Sequence, residues 1–230
     1  MPEHRLLFPV CVAALMLQQA HALSSAPKTI GQRVAEFGAG VDARLAPVFR
    51  ERGVAYPPGQ LVLIGLKGEK SLELWAGDTR GGMKFIRAYP ILAASGTAGP
   101  KLREGDRQVP EGFYKIASLN PNSRFHLSLR VNYPNDFDQA RAKEDRREKL
   151  GGNIMIHGNH VSIGCLAMGD EAAEDLFVLA AKTGIENIRV ILSPVDFRAG
   201  AGAEKQDALP HWTRGLYRRI ETELKKFRRE

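Results

Sequence analysis

Residues 125–131 alternate strictly between apolar and polar side chains, the pattern of a strand with one face in a core and the other toward solvent. The apolar positions are Phe125, Leu127, Leu129 and Val131, and the polar positions are His126, Ser128 and Arg130. A lone strand is not stable in water. The chain therefore needs further strands that pair with this one, and a core that covers its apolar face.

Several other segments supply those strands. Apolar, β-branched or aromatic runs bounded by turn residues occur at 61–66, 71–76, 83–93, 112–119, 153–157 and 188–192. Helical spacing of apolar residues predicts helices at 30–52 and 171–182, the second capped by Asp170 and ended by Gly184, and the charge-rich stretch 137–150 reads as an exposed helix or excursion. The sequence predicts a mainly β protein with flanking helices, of the α+β class.

The first 22 residues have the features of a secretory signal peptide. Arg5 precedes an apolar run at 6–17, which is too short to span a bilayer, and Ala20-His21-Ala22 forms a small-x-small cleavage site. A buried N-terminal helix is the alternative, but Pro9 would interrupt it. We therefore expect an exported protein of the periplasm or cell envelope. Cys11 would leave with the signal, and Cys165 would remain as the single thiol of the mature chain.

The organisation along the chain follows from these segments. We expect a signal peptide at 1–22, an N-terminal helical segment at 23–56, a catalytic domain at 57–195 and a basic C-terminal helical tail at 196–230. The tail combines one apolar stripe with a basic outer face, so it either packs on the domain as a solvated helix or contacts an anionic envelope surface. Nucleic acid is not expected as a partner, because no aromatic residues interleave the basic stretch.

The segment 154–168 carries the most chemistry. A predicted strand ends on His157, a loop begins at Gly158, and Cys165 lies just before a predicted helix. An imidazole can activate a thiol as a nucleophile, and Gly164 lets the backbone amides around the cysteine approach a developing oxyanion. The carbonyl of Gly158 or a neighbouring backbone oxygen can orient the imidazole.

Three interpretations of this segment stay open from residue types alone. Cys165 is a buried structural cysteine, or it joins His157 and His160 as a zinc ligand, or it forms a nucleophilic dyad with His157. His160 otherwise reads as an exposed loop residue.

The motifs resemble those of the L,D-transpeptidase catalytic domain, the YkuD-like family, and within it the YafK-like branch. The two motifs on which the resemblance mainly rests are Ile-His-Gly at 156–158 and Ser-Ile-Gly-Cys at 162–165. Three upstream segments add to it: Ser-Gly at 95–96, Val-Pro-Glu-Gly-Phe-Tyr at 109–114 and Leu-Arg-Val-Asn-Tyr-Pro-Asn at 129–135. The resemblance covers 61–192. It implies a β-sandwich with the cysteine loop at one end. The sequence itself gives no evidence for a metal or cofactor.

The resemblance also implies roles for individual residues. Cys165 would be the nucleophile, His157 its base, and the amides near Gly164 and Cys165 the oxyanion donors. From the residues alone, Gly158 belongs to the loop, and Ser162 either bonds within the loop, steadies His157 or serves only as a turn residue. The strand end that follows 125–131 offers candidate substrate-binding residues, which otherwise form a surface turn with a packed tyrosine; they are Arg130, Asn132 and Tyr133.

The implied function is cell wall biogenesis. An exported transpeptidase of this kind acts on the peptide stem of peptidoglycan at meso-diaminopimelate, and crosslinks stems or attaches a wall-anchored lipoprotein, with consequences for cell shape. Ile163 and Ala167 replace the His and Arg of many members, and the stretch between His157 and Cys165 is shorter. An L,D-amidase or carboxypeptidase that hydrolyses the same bonds is the first alternative, and a non-catalytic wall-binding module is the second.

Overall fold

One curled sheet organises the molecule, whose computed structural model describes residues 26–78, 82–200 and 209–229. The strands of the described residues are β1 (Gln60–Leu66), β2 (Ser71–Gly77), β3 (Lys84–Pro90), β4 (Gly112–Ser123), β5 (His126–Val131), β6 (Met155–His157), β7 (Leu166–Ala167) and β8 (Ile188–Ser193). They lie in the order β3-β2-β1-β8-β4-β5-β6-β7. Two neighbouring pairs, β1 with β8 and β6 with β7, are parallel and the others are antiparallel. The predicted mainly β architecture with flanking helices is confirmed.

The predicted helices form close to their expected bounds. The described helices are α1 (Ile30–Glu51), α2 (Asp136–Glu144), α3 (Asp170–Thr183) and α4 (Thr213–Leu224). Gly184 ends α3 with φ +85°, as predicted. The predicted cap of α3 is wrong, because Gly169 is the N-cap residue and Asp170 is already helical. The Asp170 carboxylate instead accepts the amide N–H of Asn159 at 2.7 Å, so it serves the loop before the helix.

Strand β1 has buried side chains on both faces of the sheet. Leu61 and Leu63 belong to the core that α1 and α3 cover, whereas Val62 and Ile64 belong to a second core beneath α4. This double burial explains why the strand reads as a continuous apolar run. We call the face toward α1 and α3 the inner face and the face toward α4 the outer face.

The C-terminal stripe packs on the domain. Leu216, Ile220, Leu224 and Phe227 are at most 2% exposed in the outer core, while the basic residues Arg214, Arg218 and Arg219 are exposed. The interpretation of the tail as a helix packed on the domain is confirmed. Contact of its basic side with an anionic surface stays a prediction.

The alternation that predicts β5 holds from Leu127 onward and fails before it. Leu127, Leu129 and Val131 are fully buried on the inner face. Phe125 is 37% exposed and lies outside the strand, so its predicted core position is wrong. The reason is backbone geometry: His126 has φ +69°, which interrupts the pleat between the two residues.

A buried ion pair ties the loop before β4 to the rest of the molecule. Glu111 is 1% exposed, and its carboxylate accepts from Lys67 Nζ at 2.8 Å, from the Gly99 amide at 2.8 Å and from the Tyr217 hydroxyl at 2.6 Å. These contacts connect the end of β1, the loop at 91–111 and α4. The loop is thereby held from two sides.

Two expectations concern membranes and export. The predicted signal peptide at 1–22 lies outside the described residues. Within the described ranges, no helix has the length and apolar character needed to cross a membrane.

Candidate active site

Strand register places Cys165 and His157 on the outer face of the sheet. Ile156 of β6 pairs with Leu166 of β7, and His157 pairs with Ala167. Ile156 and Leu166 are fully buried on the inner face, so their neighbours along each strand project the opposite way. Cys165 directly precedes β7 and His157 ends β6, so both belong to the outer set. The sheet itself brings the two residues to one surface.

The imidazole of His157 is held in one orientation. Its Nδ1 lies 2.6 Å from the Gly158 carbonyl oxygen, and a carbonyl only accepts, so Nδ1 carries the proton. The other nitrogen, Nε2, then keeps its lone pair. The Phe125 ring stacks on the imidazole at 4.6 Å between centroids. His157 is 1% exposed, and burial lowers its pKa although the Gly158 carbonyl opposes this, so the neutral base is favoured.

The thiol of Cys165 is half-buried and also favours its neutral form. Sγ donates to the Asn153 carbonyl at 3.6 Å. Burial raises the pKa of the thiol, against a backbone hydrogen bond from Met155 and the positive charge of Lys101, which both lower it. Both groups therefore favour the neutral form. Among the described residues, Sγ bonds to the Asn153 carbonyl and the His157 ring to the Gly158 carbonyl, and no hydrogen bond joins the thiol to the imidazole.

Two hydroxyl groups hold the cysteine loop. Ser162 Oγ accepts the Cys165 amide at 2.9 Å and donates to the Cys165 carbonyl at 2.6 Å. Ser95 Oγ accepts the Gly164 amide at 2.6 Å and donates to the Arg107 carbonyl at 2.8 Å. Gly164 has φ +90°, a conformation that favours glycine. The two amides expected as oxyanion donors thus have hydroxyl acceptors in this structure.

Gly158 is required by space. A Cβ on this residue would lie 2.5 Å from Asp170 Oδ1 and 2.8 Å from the Phe125 carbonyl oxygen. The absence of a side chain lets the chain turn tightly after β6. The carbonyl of Gly158 thereby stays beside the ring of His157.

The residues expected to bind substrate separate into different environments. Arg130 is exposed on the outer face, and it pairs with Met155 in the sheet, one strand away from the cysteine. Asn132 Oδ1 accepts the Lys115 amide at 2.7 Å. Tyr133 is 2% exposed, and its hydroxyl lies 3.3 Å from the carbonyls of Lys101 and Leu150. Arg130 therefore lies on the exposed side of the sheet, whereas Tyr133 lies in the core.

Lys101 is a charged neighbour of the site that the sequence did not indicate. It is 8% exposed, and its Nζ donates to Asp106 Oδ1 at 2.5 Å and to the Arg103 carbonyl at 2.9 Å. No motif or spacing marks it, because only the folded loop brings it near the thiol. Phe125 and Asn153 were missed for the same reason.

The zinc interpretation finds no ligand cluster. Within the described residues, no three His, Cys, Asp or Glu side chains lie close enough to hold a metal ion. His160 is exposed in the loop.

Residues 62–191 match the family model of the L,D-transpeptidase catalytic domain, YkuD. The chain belongs to this family. The resemblance inferred from the motifs at 156–158 and 162–165 is confirmed. Among curated L,D-transpeptidase relatives, the YafK proteins of Escherichia coli K12 and O157:H7 are each 32% identical over 142 residues. The match covers 60% of this chain and 54% of each YafK protein, so the chain spans about half the length of these relatives.

Several solved structures share part of this chain path. The helical cell shape determining protein Pgp2 of Campylobacter jejuni is 22% identical with a TM-score of 0.48, covering 59% of this chain and 48% of that one. Bd1075 of Bdellovibrio bacteriovorus is 17% identical with a TM-score of 0.43, covering 75% and 56%. L,D-transpeptidase 1 of Mycobacterium tuberculosis is 14% identical with a TM-score of 0.35, covering 58% and 62%.

Proposed function

We propose that this L,D-transpeptidase family member is an exported cysteine acyltransferase that acts on the peptide stem of peptidoglycan. Cys165 is the nucleophile and His157 is its base. The observation that carries the proposal is the 2.6 Å contact between Nδ1 of His157 and the Gly158 carbonyl, which leaves Nε2 as the acceptor for a thiol proton. Membership of the family supports the substrate class, a stem that contains meso-diaminopimelate.

The reaction has two halves. In the first, the Cys165 proton passes to Nε2 of His157 as sulfur attacks the amide carbonyl, and the imidazolium then protonates the departing amine. This leaves a thioester on Cys165. In the second half, an acceptor amine gives a transpeptidation product and regenerates the thiol. Water in place of the amine gives the hydrolytic outcome of an amidase or carboxypeptidase.

The oxyanion is stabilised by backbone amides of the cysteine loop. The N–H groups of Gly164 and Cys165 are the candidates, and each now donates to a serine hydroxyl. Substrate binding must therefore displace Ser95 Oγ or Ser162 Oγ from an amide. The amide then donates to the oxyanion in place of the hydroxyl oxygen, and the hydroxyl keeps its own bond to a backbone carbonyl.

Arg130 is the candidate for holding a stem carboxylate. It is exposed on the outer face and makes no ion pair within 4.0 Å to a described carboxylate. A guanidinium with free donors pairs bidentately with a carboxylate. Its strand partner Met155 directly precedes Ile156, and Ile156 pairs with Leu166, the residue after Cys165, which supports this assignment.

Muropeptide mass spectrometry tests the proposal. Sacculi that carry tetrapeptide stems are incubated with the protein, its Cys165→Ser variant and its His157→Ala variant. New crosslinked dimers indicate transpeptidation, and shortened or released stems indicate hydrolysis. Both variants should lose product, whereas His160→Ala, a matched control in the exposed loop, should retain it. Full activity in Cys165→Ser would refute the thiol mechanism, and an inactive wild-type protein that still binds sacculi would favour the wall-binding module.

A further inference from the structure

A second concave site lies between α4 and the sheet. The groove has a volume of about 930 Å³, which is within the range of small-molecule sites. Its floor includes Phe113 and Lys115 of β4 and Arg189 of β8, and one wall is formed by Arg218 and Arg219 of α4. The dyad residues do not line it, so the groove is separate from the site proposed for catalysis.

Positive charge converges on this groove. Lys115 and Arg189 are direct partners in the antiparallel pair of β4 and β8, an arrangement of like charges that costs stability. Arg218 and Arg219 add two more cations from the helix, whereas the carboxylates that line the groove are Asp136 and Glu223. Four cations against two carboxylates leave two positive charges unbalanced.

The available carboxylates do not neutralise the helix arginines. Glu223 pairs with Arg189 at 3.1 Å and with Lys226 at 2.6 Å. Among described residues, no carboxylate lies within 4.0 Å of the charged groups of Lys115, Arg218 or Arg219. These three side chains therefore keep hydrogen-bond donors for an external anion.

Aromatic rings orient one of the arginines. The guanidinium carbon of Arg219 lies 5.5 Å from the Phe113 ring centroid and 5.7 Å from that of Phe137. The Phe137 ring is itself braced by Trp212, 5.8 Å away at 84°. Ring contacts hold a guanidinium in place without neutralising its charge. Its planar fork of donors suits phosphate oxygens.

We propose that this groove binds a small ligand that carries a diphosphate, or two phosphate groups at similar spacing. The adjacent arginines of α4 and Lys115 contact the phosphate oxygens. The two unbalanced charges match an anion with at least two negative charges. The site is independent of the thiol chemistry, so the Cys165→Ser variant should bind such a ligand as the wild type does.

Calorimetric titration of the full chain with inorganic pyrophosphate tests the proposal. Saturable one-to-one binding is expected, and Arg219→Gln should weaken it at least tenfold. Arg214→Gln is the matched control, because this substitution removes the same charge from an exposed position of the same helix. Arg214 does not line the groove. The control should bind within twofold of the wild type. An equal loss in both variants would show non-specific attraction and overturn the proposal.

A second variant separates binding from helix packing. Lys115 is exposed and has no ring contact, so Lys115→Gln should weaken pyrophosphate binding severalfold without lowering the thermal midpoint. Methyl phosphate, with one phosphate group, should bind at least tenfold more weakly than pyrophosphate. Binding to phosphatidylglycerol vesicles without saturable pyrophosphate binding would identify a lipid surface as the anion and overturn the proposal. Unchanged affinity for pyrophosphate in both Lys115→Gln and Arg219→Gln would also overturn the proposal.

Discussion

Replacing Gly158 by alanine tests whether the imidazole of His157 is positioned by the backbone. The added Cβ would lie 2.5 Å from Asp170 Oδ1, 2.8 Å from the Phe125 carbonyl oxygen and 3.0 Å from His126 Cβ. Backbone cannot swing aside as a flexible side chain does. The Asp170 oxygen is also fixed, since it accepts the Asn159 amide at 2.7 Å. Residue 158 must therefore move.

The size of the movement sets the expected effect. Real Cβ atoms are essentially never closer than 3.0 Å to such neighbours, so relieving the 2.5 Å contact needs a shift of 0.5 Å. Overpacking of this kind costs about 1–3 kcal/mol of unfolding free energy. The shift also displaces the carbonyl that accepts Nδ1 at 2.6 Å. A displacement of ~1 Å in an active site costs about a hundredfold in rate, so half of it should cost about tenfold.

Two measurements check this prediction. Urea denaturation reports the stability, and muropeptide mass spectrometry with tetrapeptide sacculi reports turnover. Gly82→Ala is the matched control, because a Cβ there meets no atom of the described residues within 4 Å and its φ is not positive. Gly158→Ala should lose both stability and turnover, and Gly82→Ala neither. A destabilised Gly158→Ala protein with wild-type turnover would refute the role of the Gly158 carbonyl.

Three further outcomes are expected. Because burial raises the pKa of Cys165, alkylation by iodoacetamide should keep accelerating as the pH rises past neutral; a plateau in mildly acidic buffer would indicate a thiolate and contradict the neutral pair. Burial raises the pKa of Asp138 to about 6, above the unfolded value of 3.8, so protonation of this carboxyl favours the folded state. As the pH falls through this interval, the unfolding free energy of the wild type should rise by up to about 3 kcal/mol relative to that of Asp138→Asn in urea titrations. Parallel plots of unfolding free energy against pH for the two proteins would contradict this. Tyr217→Phe removes the 2.6 Å bond to buried Glu111 and should cost about 1–2 kcal/mol in urea denaturation, and an unchanged midpoint would show that the bond adds nothing.

Much of the fold is predictable from local patterns. The hairpin of β1 and β2, the strand at Leu127–Leu129 and the end of α3 at Gly184 follow from alternation and turn residues. The cap of α3 is not predictable in this way, because Asp170 has two possible partners. Its carboxylate bonds to Asn159 rather than to its own helix, and only the packed loop decides between them.

The residues of the candidate site also fall into two groups, those that a local motif indicates and those that only the folded chain brings together. Cys165, His157 and the Gly158 carbonyl are close in sequence, so a motif can indicate them. Lys101 and Phe125 reach the site from distant loops, and no spacing rule connects them to it. Tyr133 shows the converse, since its motif position suggests substrate contact while its hydroxyl bonds to carbonyls in the core.

The parallel pairing of β6 with β7 sets where His157 and Cys165 lie, independently of the length of the loop that connects the two strands. His157 and Cys165 keep their spacing because Ile156 pairs with Leu166, whatever chain connects the two strands. Asn159 and Ser162 are tied to Asp170 and Cys165 by hydrogen bonds, so the exposed positions open to exchange are His160, Val161 and Ile163. Under the proposed function, a longer insert at these positions would cover the thiol of Cys165 and limit which acceptors reach its thioester, while the pairing of Ile156 with Leu166 stays as it is.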